Sequence, residues 1–103
     1  MRITKGNDNV FLDCGFPPAE AENLRLRAKL MMALTAYIQK KKLTQAAAAK
    51  AMSVSQPRIS DLSRGKIGLF TIDTLVNMLT SAGLKVDLDI SPAKPKARTR
   101  RVA

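Results

Sequence analysis

The chain has 103 residues, 46% of them apolar, which suits one domain with a single core. Its 18 Lys and Arg outnumber 8 Asp and Glu, for a net charge of +10, and such an excess favours a polyanionic partner, nucleic acid first. With no His, one Cys, scattered carboxylates and no Gly-rich phosphate loop, the chain has few parts for catalysis. No enzyme, metal or cofactor is therefore expected.

Residues 1 to 9 are polar and read as a loose stretch, within an N-terminal arm over 1–16. No signal-peptide pattern is present, and no apolar run approaches the about 20 residues that span a bilayer. The single Cys14 cannot pair within the chain, so a cytoplasmic protein without membrane contact is expected. Val10, Phe11, Leu12 and Phe16 can anchor the arm onto the core or onto a partner.

Pro18 opens a predicted helix that runs to about residue 41. Glu20 and Glu22 near its start and Lys40, Lys41 and Lys42 at its end suit the helix dipole. The lysine run is either a solvated helix end or a phosphate contact. Leu24, Ala28, Met31, Leu34 and Ile38 form one apolar stripe, and Leu26, Leu30, Ala33 and Tyr37 a second. The second stripe either merges with the first into one wide core face or buries against another chain.

The stretch from 43 to 66, LTQAAAAKAMSVSQPRISDLSRGK, has the spacing of a helix-turn-helix, with the motif over 44–65. Thr44 is a good N-cap for a helix over 45 to 52; Ser53 and Val54 fill the turn; Ser55 is a second N-cap. Pro57 fits the first turn of a helix reaching about residue 64, which Gly65 stops. Ala48, Ala49, Met52, Val54, Ile59 and Leu62 supply the shared apolar faces. Gln56, Pro57, Ser60 and Arg64 then lie on the opposite face with Asp61 beside them, a surface suited to base edges in a major groove.

Residues 66 to 70 read as a loop with apolar anchors. Thr71 caps a helix from 72 to about 82 with a core stripe of Ile72, Leu75, Val76 and Leu79, ended by Gly83. Trp is absent and Tyr occurs once, so the core should be aliphatic. Residues 84 to 90, LKVDLDI, alternate strictly and predict a half-buried strand. Its edge needs a partner: residues 10 to 12, its own symmetry mate, or a strand of another protein. Residues 91 to 103 carry Lys94, Lys96, Arg98, Arg100 and Arg101 with little that is apolar, which predicts a basic tail, disordered when free, that adds non-specific DNA affinity by counterion release.

TQAAAAKAMSVSQPRISDLSRGK resembles the helix-turn-helix of the phage-repressor-like regulators, the Xre family. The family usually has Gly in the turn where this chain has Ser53. From VFLDCGFPPAEAENLRLRAKLMMAL to LFTIDTLVNMLTSAGLKVDL, about residues 10 to 90, the chain also resembles a narrower branch, the HigA-type antitoxins encoded beside RelE- or HigB-type toxins. The resemblance implies a mainly α fold, a repressor-like bundle of four to five helices over 17–90 with the terminal strand at 84–90. It implies a homodimer on a double-stranded DNA operator, with half-sites about 34–36 Å apart.

Gln56 is then expected to touch a base edge and Gln45 to brace it and a phosphate, as in the family's pair of glutamines. Arg58, Arg64 and Lys66 are phosphate candidates, with an Asp61 ion pair to Arg58 or Arg64 as the structural alternative; Ser55, Pro57, Ser60 and Asp61 complete the expected DNA surface. Phe11, Phe16, Leu24, Leu26, Leu30, Val86 and Leu88 are the candidates for a dimer or toxin interface. The expected function is an antitoxin that represses its own operon and blocks a toxin. A stand-alone repressor is the alternative, and a non-specific nucleic-acid coat is a third reading.

Overall fold

The computed structural model describes residues 10–92, which form a bundle of helices. A single turn, α1 (Val10–Asp13), leads into a reversal at Gly15, whose φ of +95° suits only a residue without a side chain. The Phe16 amide closes this reversal on the Phe11 carbonyl at 3.1 Å, and the two rings stack edge to face at 6.2 Å. From Val10 onward, then, the expected arm is a short helical hook leading into α2, and the loose stretch expected over 1 to 9 lies outside the described residues.

Pro18 occupies the first turn of α2 (Pro18–Lys41), where its missing N–H leaves no bond unmade. The helix ends on Lys42 in the left-handed conformation, with the Leu43 amide bonded to the Ile38 carbonyl at 3.0 Å. α3 (Gln45–Met52), α4 (Gln56–Ser63) and α5 (Ile72–Ser81) follow, with a 3-10 turn, Ile67–Leu69, between the last two. Thr44 and Thr71 cap α3 and α5 as the sequence predicts: each hydroxyl accepts an amide three residues on at 3.1 Å. At the ends of α4 and α5, Gly65 and Gly83 take positive φ and the next amide reaches back to the helix, Lys66 to Asp61 and Leu84 to Leu79.

α2 lies against α5, α1, α4 and the 3-10 turn, and α3 packs on both α4 and α5. Leu34, Met52, Ile59, Phe70, Leu75 and Met78 are the largest fully buried side chains. The core is aliphatic apart from Phe70, the anchor of the 66–70 loop. Leu69, expected to anchor it too, is 52% exposed. Both stripes of α2 contribute: Met31 and Leu34 are core, while Leu30 and Tyr37 of the second stripe pack against it, and the Tyr37 hydroxyl donates to the Ala82 carbonyl at 3.2 Å.

The strand predicted over 84–90 does not form; the described residues contain no strand at all. A strand is defined by its ladder, and residues 10 to 12, one candidate partner, are helical. Half of the alternation survives. Leu84 and Val86 pack against the core while Lys85 and Asp87 face out, but Leu88 and Ile90 leave the surface and are 82% and 87% exposed. The basic tail lies outside the described residues from position 93 on.

Candidate nucleic-acid interface

α4 is held by its inner face. Ile59 and Leu62 are 1% and 3% exposed and join Ala48, Ala49 and Met52 of α3 in one cluster. Small residues at 48 and 49 let the two short helices approach closely. Between them Ser53 takes the left-handed conformation (φ 59°, ψ 43°) that the family's usual Gly takes without strain. Its hydroxyl shares a hydrogen bond of 2.8 Å with that of Ser81 on α5, which ties the turn to the last helix.

Ser55 has the extended backbone of an N-cap, but its hydroxyl caps nothing. The reason is local. The second position of the helix is Pro57, which has no N–H, and the third amide, Arg58, bonds to the Ser55 carbonyl at 3.1 Å. The expected side-chain cap is therefore replaced by a carbonyl, and the hydroxyl stays exposed.

On the outer face of α4, Gln56, Pro57 and Arg64 are exposed, with Ser60 and Asp61 half-buried. Arg64 donates to the Ser60 hydroxyl at 3.2 Å and makes no ion pair among the described residues. Gln45 starts α3 and Gln56 starts α4; both are exposed, and no hydrogen bond joins them among the described residues. Lys66 is exposed just past the helix end, and Lys40, Lys41 and Lys42 are exposed at the end of α2.

Arg58 is more committed than its sequence position suggests. Its guanidinium lies 3.7 Å from the Asp61 carboxylate, donates to the Leu69 carbonyl at 3.3 Å and stands over the Phe70 ring at 5.5 Å. The ion pair with Asp61 thus forms with Arg58 rather than Arg64. Arg58 stitches α4 to the following loop, with part of its side chain still at the surface.

Arg27 does the same from α2, and sequence reasoning missed it. Its guanidinium donates to the carbonyls of Ile67 and Phe70 at 3.2 and 3.1 Å and to Asn23 at 2.7 Å. The signal was present: Arg27 falls three after Leu24 and four before Met31, on the buried stripe, where a charge needs hydrogen-bond partners. On the surface nearby, Arg25 bonds Glu22 at 3.0 Å and holds its carboxyl below the usual carboxylate range.

The candidates for a partner interface are divided. Leu24 is only 7% exposed, so its side chain is already covered within the chain. Leu26 and Leu30 are half-buried, Phe16 is 38% exposed, and Val86 is half-buried against the core. Phe11 lines an apolar groove of about 630 Å³ with Met31, Met32, Leu62 and Ile67. Among the described residues no cluster of acidic, Cys or His side chains is placed to hold a metal, and no helix is long and apolar enough to cross a membrane.

The arrangement of α3, turn and α4 on a helical scaffold defines a helix-turn-helix protein, and the helix-turn-helix domain family matches residues 10–91. The chain belongs to that family. It is of the Xre type: a solved structure named as an XRE family transcriptional regulator is 31% identical, with a TM-score of 0.67, covering 82% of this chain and 93% of that one. None of the curated proteins matches.

Proposed function

We propose that this chain is a DNA-binding transcriptional regulator that reads a specific operator as a homodimer. The observation that carries the reading is α4, locked by the buried Ile59 and Leu62 while Gln56, Ser60 and Arg64 face outward. A helix held this rigidly can present fixed donors and acceptors to base edges, and the Xre-type likeness agrees. A merely basic coat needs no such ordered face. Gln56 reads a base, Gln45 supports it at the backbone, and Ser55, Arg64 and Lys66 meet phosphates; Arg58 adds a phosphate contact from its exposed side. Selection of bound sequences from a random pool tests this. Wild-type protein should return a two-fold symmetric motif, and Gln56→Ala should relax one position in each half-site by about 1–3 kcal/mol. An unchanged motif would count against the base contact.

An additional antitoxin role is favoured by the apolar groove beside α1. Val10, Leu12, Phe16 and Met32 are exposed there or nearby, an apolar surface that a regulator working only on DNA does not need. A toxin seated over Phe11, Leu26 and this groove is blocked sterically, with no chemistry on this chain. Co-purification with the product of an adjacent reading frame tests the role. A complex that survives both Phe11→Asp and Leu26→Asp refutes this surface, and the absence of any such partner leaves a stand-alone repressor.

A further inference from the structure

The segment without helix or strand at the end of the described chain, 84–92, divides between two tasks. Leu84, Lys85, Val86 and Asp87 form one wall of a second groove, of about 670 Å³, which shares Met32 and Ala36 of α2 with the first. Leu30, Ala33 and Tyr37, from the second apolar stripe of α2, line it too; Leu30 and Tyr37 lean on the core, and the exposed Ala33 lies between them. The next apolar pair, Leu88 and Ile90, is 82% and 87% exposed. Two residues apart, they would point the same way once the segment is extended, as its strict alternation favours. Neither Gly nor Pro interrupts residues 84 to 91, so nothing in this stretch favours a tight turn that would return the pair to the groove of its own chain. No hydrogen bond between backbone groups engages residues 85 to 92 among the described residues, which leaves an open edge along the groove wall.

We infer that this groove seats Leu88 and Ile90 of a second copy of the chain. The exchange is reciprocal about a two-fold axis, and the two 84–90 segments run antiparallel as a ribbon over the two α2 helices. The occupant follows from complementarity. An unpaired extended edge is completed by another extended segment, and this chain supplies one whose apolar period matches an apolar lining. Lys29 and Lys40 line the groove, and the incoming segment brings Asp89 beside Asp87, whose carboxylate lies 3.9 Å from Lys85 of its own chain. The same surface on both copies is what a closed dimer requires. The inference also accounts for the strict alternation of LKVDLDI, which a single chain satisfies only as far as Val86. It rests on the homodimer reading above and gives that dimer its seam.

The test uses the full chain with Cys14→Ser, so that each variant carries one thiol. Ala33→Cys chains are mixed with Leu88→Cys or Ile90→Cys chains under mild oxidation. Because each chain has a single cysteine, a disulfide joins two copies, and it should form in a mixed sample far faster than in either variant alone. Separately, the Leu88→Asp/Ile90→Asp chain is compared with wild type by sedimentation and circular dichroism. Both side chains are exposed, so the helical spectrum should be unchanged while dimerisation weakens by at least about a hundredfold. A wild-type dimer constant retained in the double variant overturns the inference, as does a monomeric wild-type chain or a groove filled only when a different protein is added. Failure to select an operator, with the crosslink and dimer intact, would instead overturn the DNA reading alone.

Discussion

Replacing Ser53 with Gly probes how this helix-turn-helix keeps a side chain in a left-handed turn. Three effects compete. Relief of the left-handed backbone favours Gly by about 1–2 kcal/mol. The greater freedom of Gly in the unfolded chain opposes it by about 0.4–1 kcal/mol. Loss of the 2.8 Å bond to Ser81 opposes it by another ~0.5–1 kcal/mol, the lower part of the usual range because both hydroxyls are exposed. The net change should lie within about 1 kcal/mol of zero, which is why Ser is tolerated here. The sharper expectation is in the Ser81→Ala background. There is no bond left to lose, so Ser53→Gly should be more stabilising than in wild type by about 0.5–1 kcal/mol. Ser53→Ala gains no strain relief and should destabilise by about 0.5–1.5 kcal/mol. Urea melts of the single and double variants give these values if the slopes agree, and in a domain of this size 1 kcal/mol moves Tm by about 4–8 °C. An effect of Ser53→Gly that is the same in both backgrounds within about 0.3 kcal/mol would refute the bond as the compensating interaction.

Phe70→Ala removes the one aromatic ring of the buried cluster and should cost about 3–5 kcal/mol, measured by the same melts; a loss below about 1.5 kcal/mol would show that the site collapses around the smaller side chain. Arg58→Ala should lower the slope of log affinity against log salt by about one unit and weaken binding to all sequences alike. It should also cost about 1 kcal/mol of stability through the lost Leu69 and Phe70 contacts, and an unchanged slope would leave the residue a purely structural stitch. The Glu22 carboxyl sits below its ordinary value because Arg25 bonds its charged form. Its contribution is therefore complete above the ordinary Glu range and is lost as pH falls through the lowered value. Both side chains are substantially exposed, so Glu22→Gln should flatten the acid limb of Tm against pH only slightly, and a steeper limb would reverse the sign of the argument.

Helix positions were legible from the sequence because caps and stops are local. Thr44, Thr71, Pro18, Gly65 and Gly83 act on amides and carbonyls within a few residues, so spacing alone placed the helix-turn-helix and the outward face of Gln56, Ser60 and Arg64. The same locality misled at Ser55, where Pro57 removes one of the amides the hydroxyl would cap. What the tertiary structure decided involves residues far apart in the chain. Arg27 finds its carbonyls 40 and 43 residues away, Ser53 meets Ser81 28 residues on, and Phe70 and Met78 are buried in a core shared by α2, α3, α4 and α5. Leu30 and Tyr37 of the surplus stripe turn out to lean on the same core. The strand shows the limit most clearly: alternation determines which side chains share a face, but a ladder needs a second extended backbone, and the described residues of one chain do not provide it.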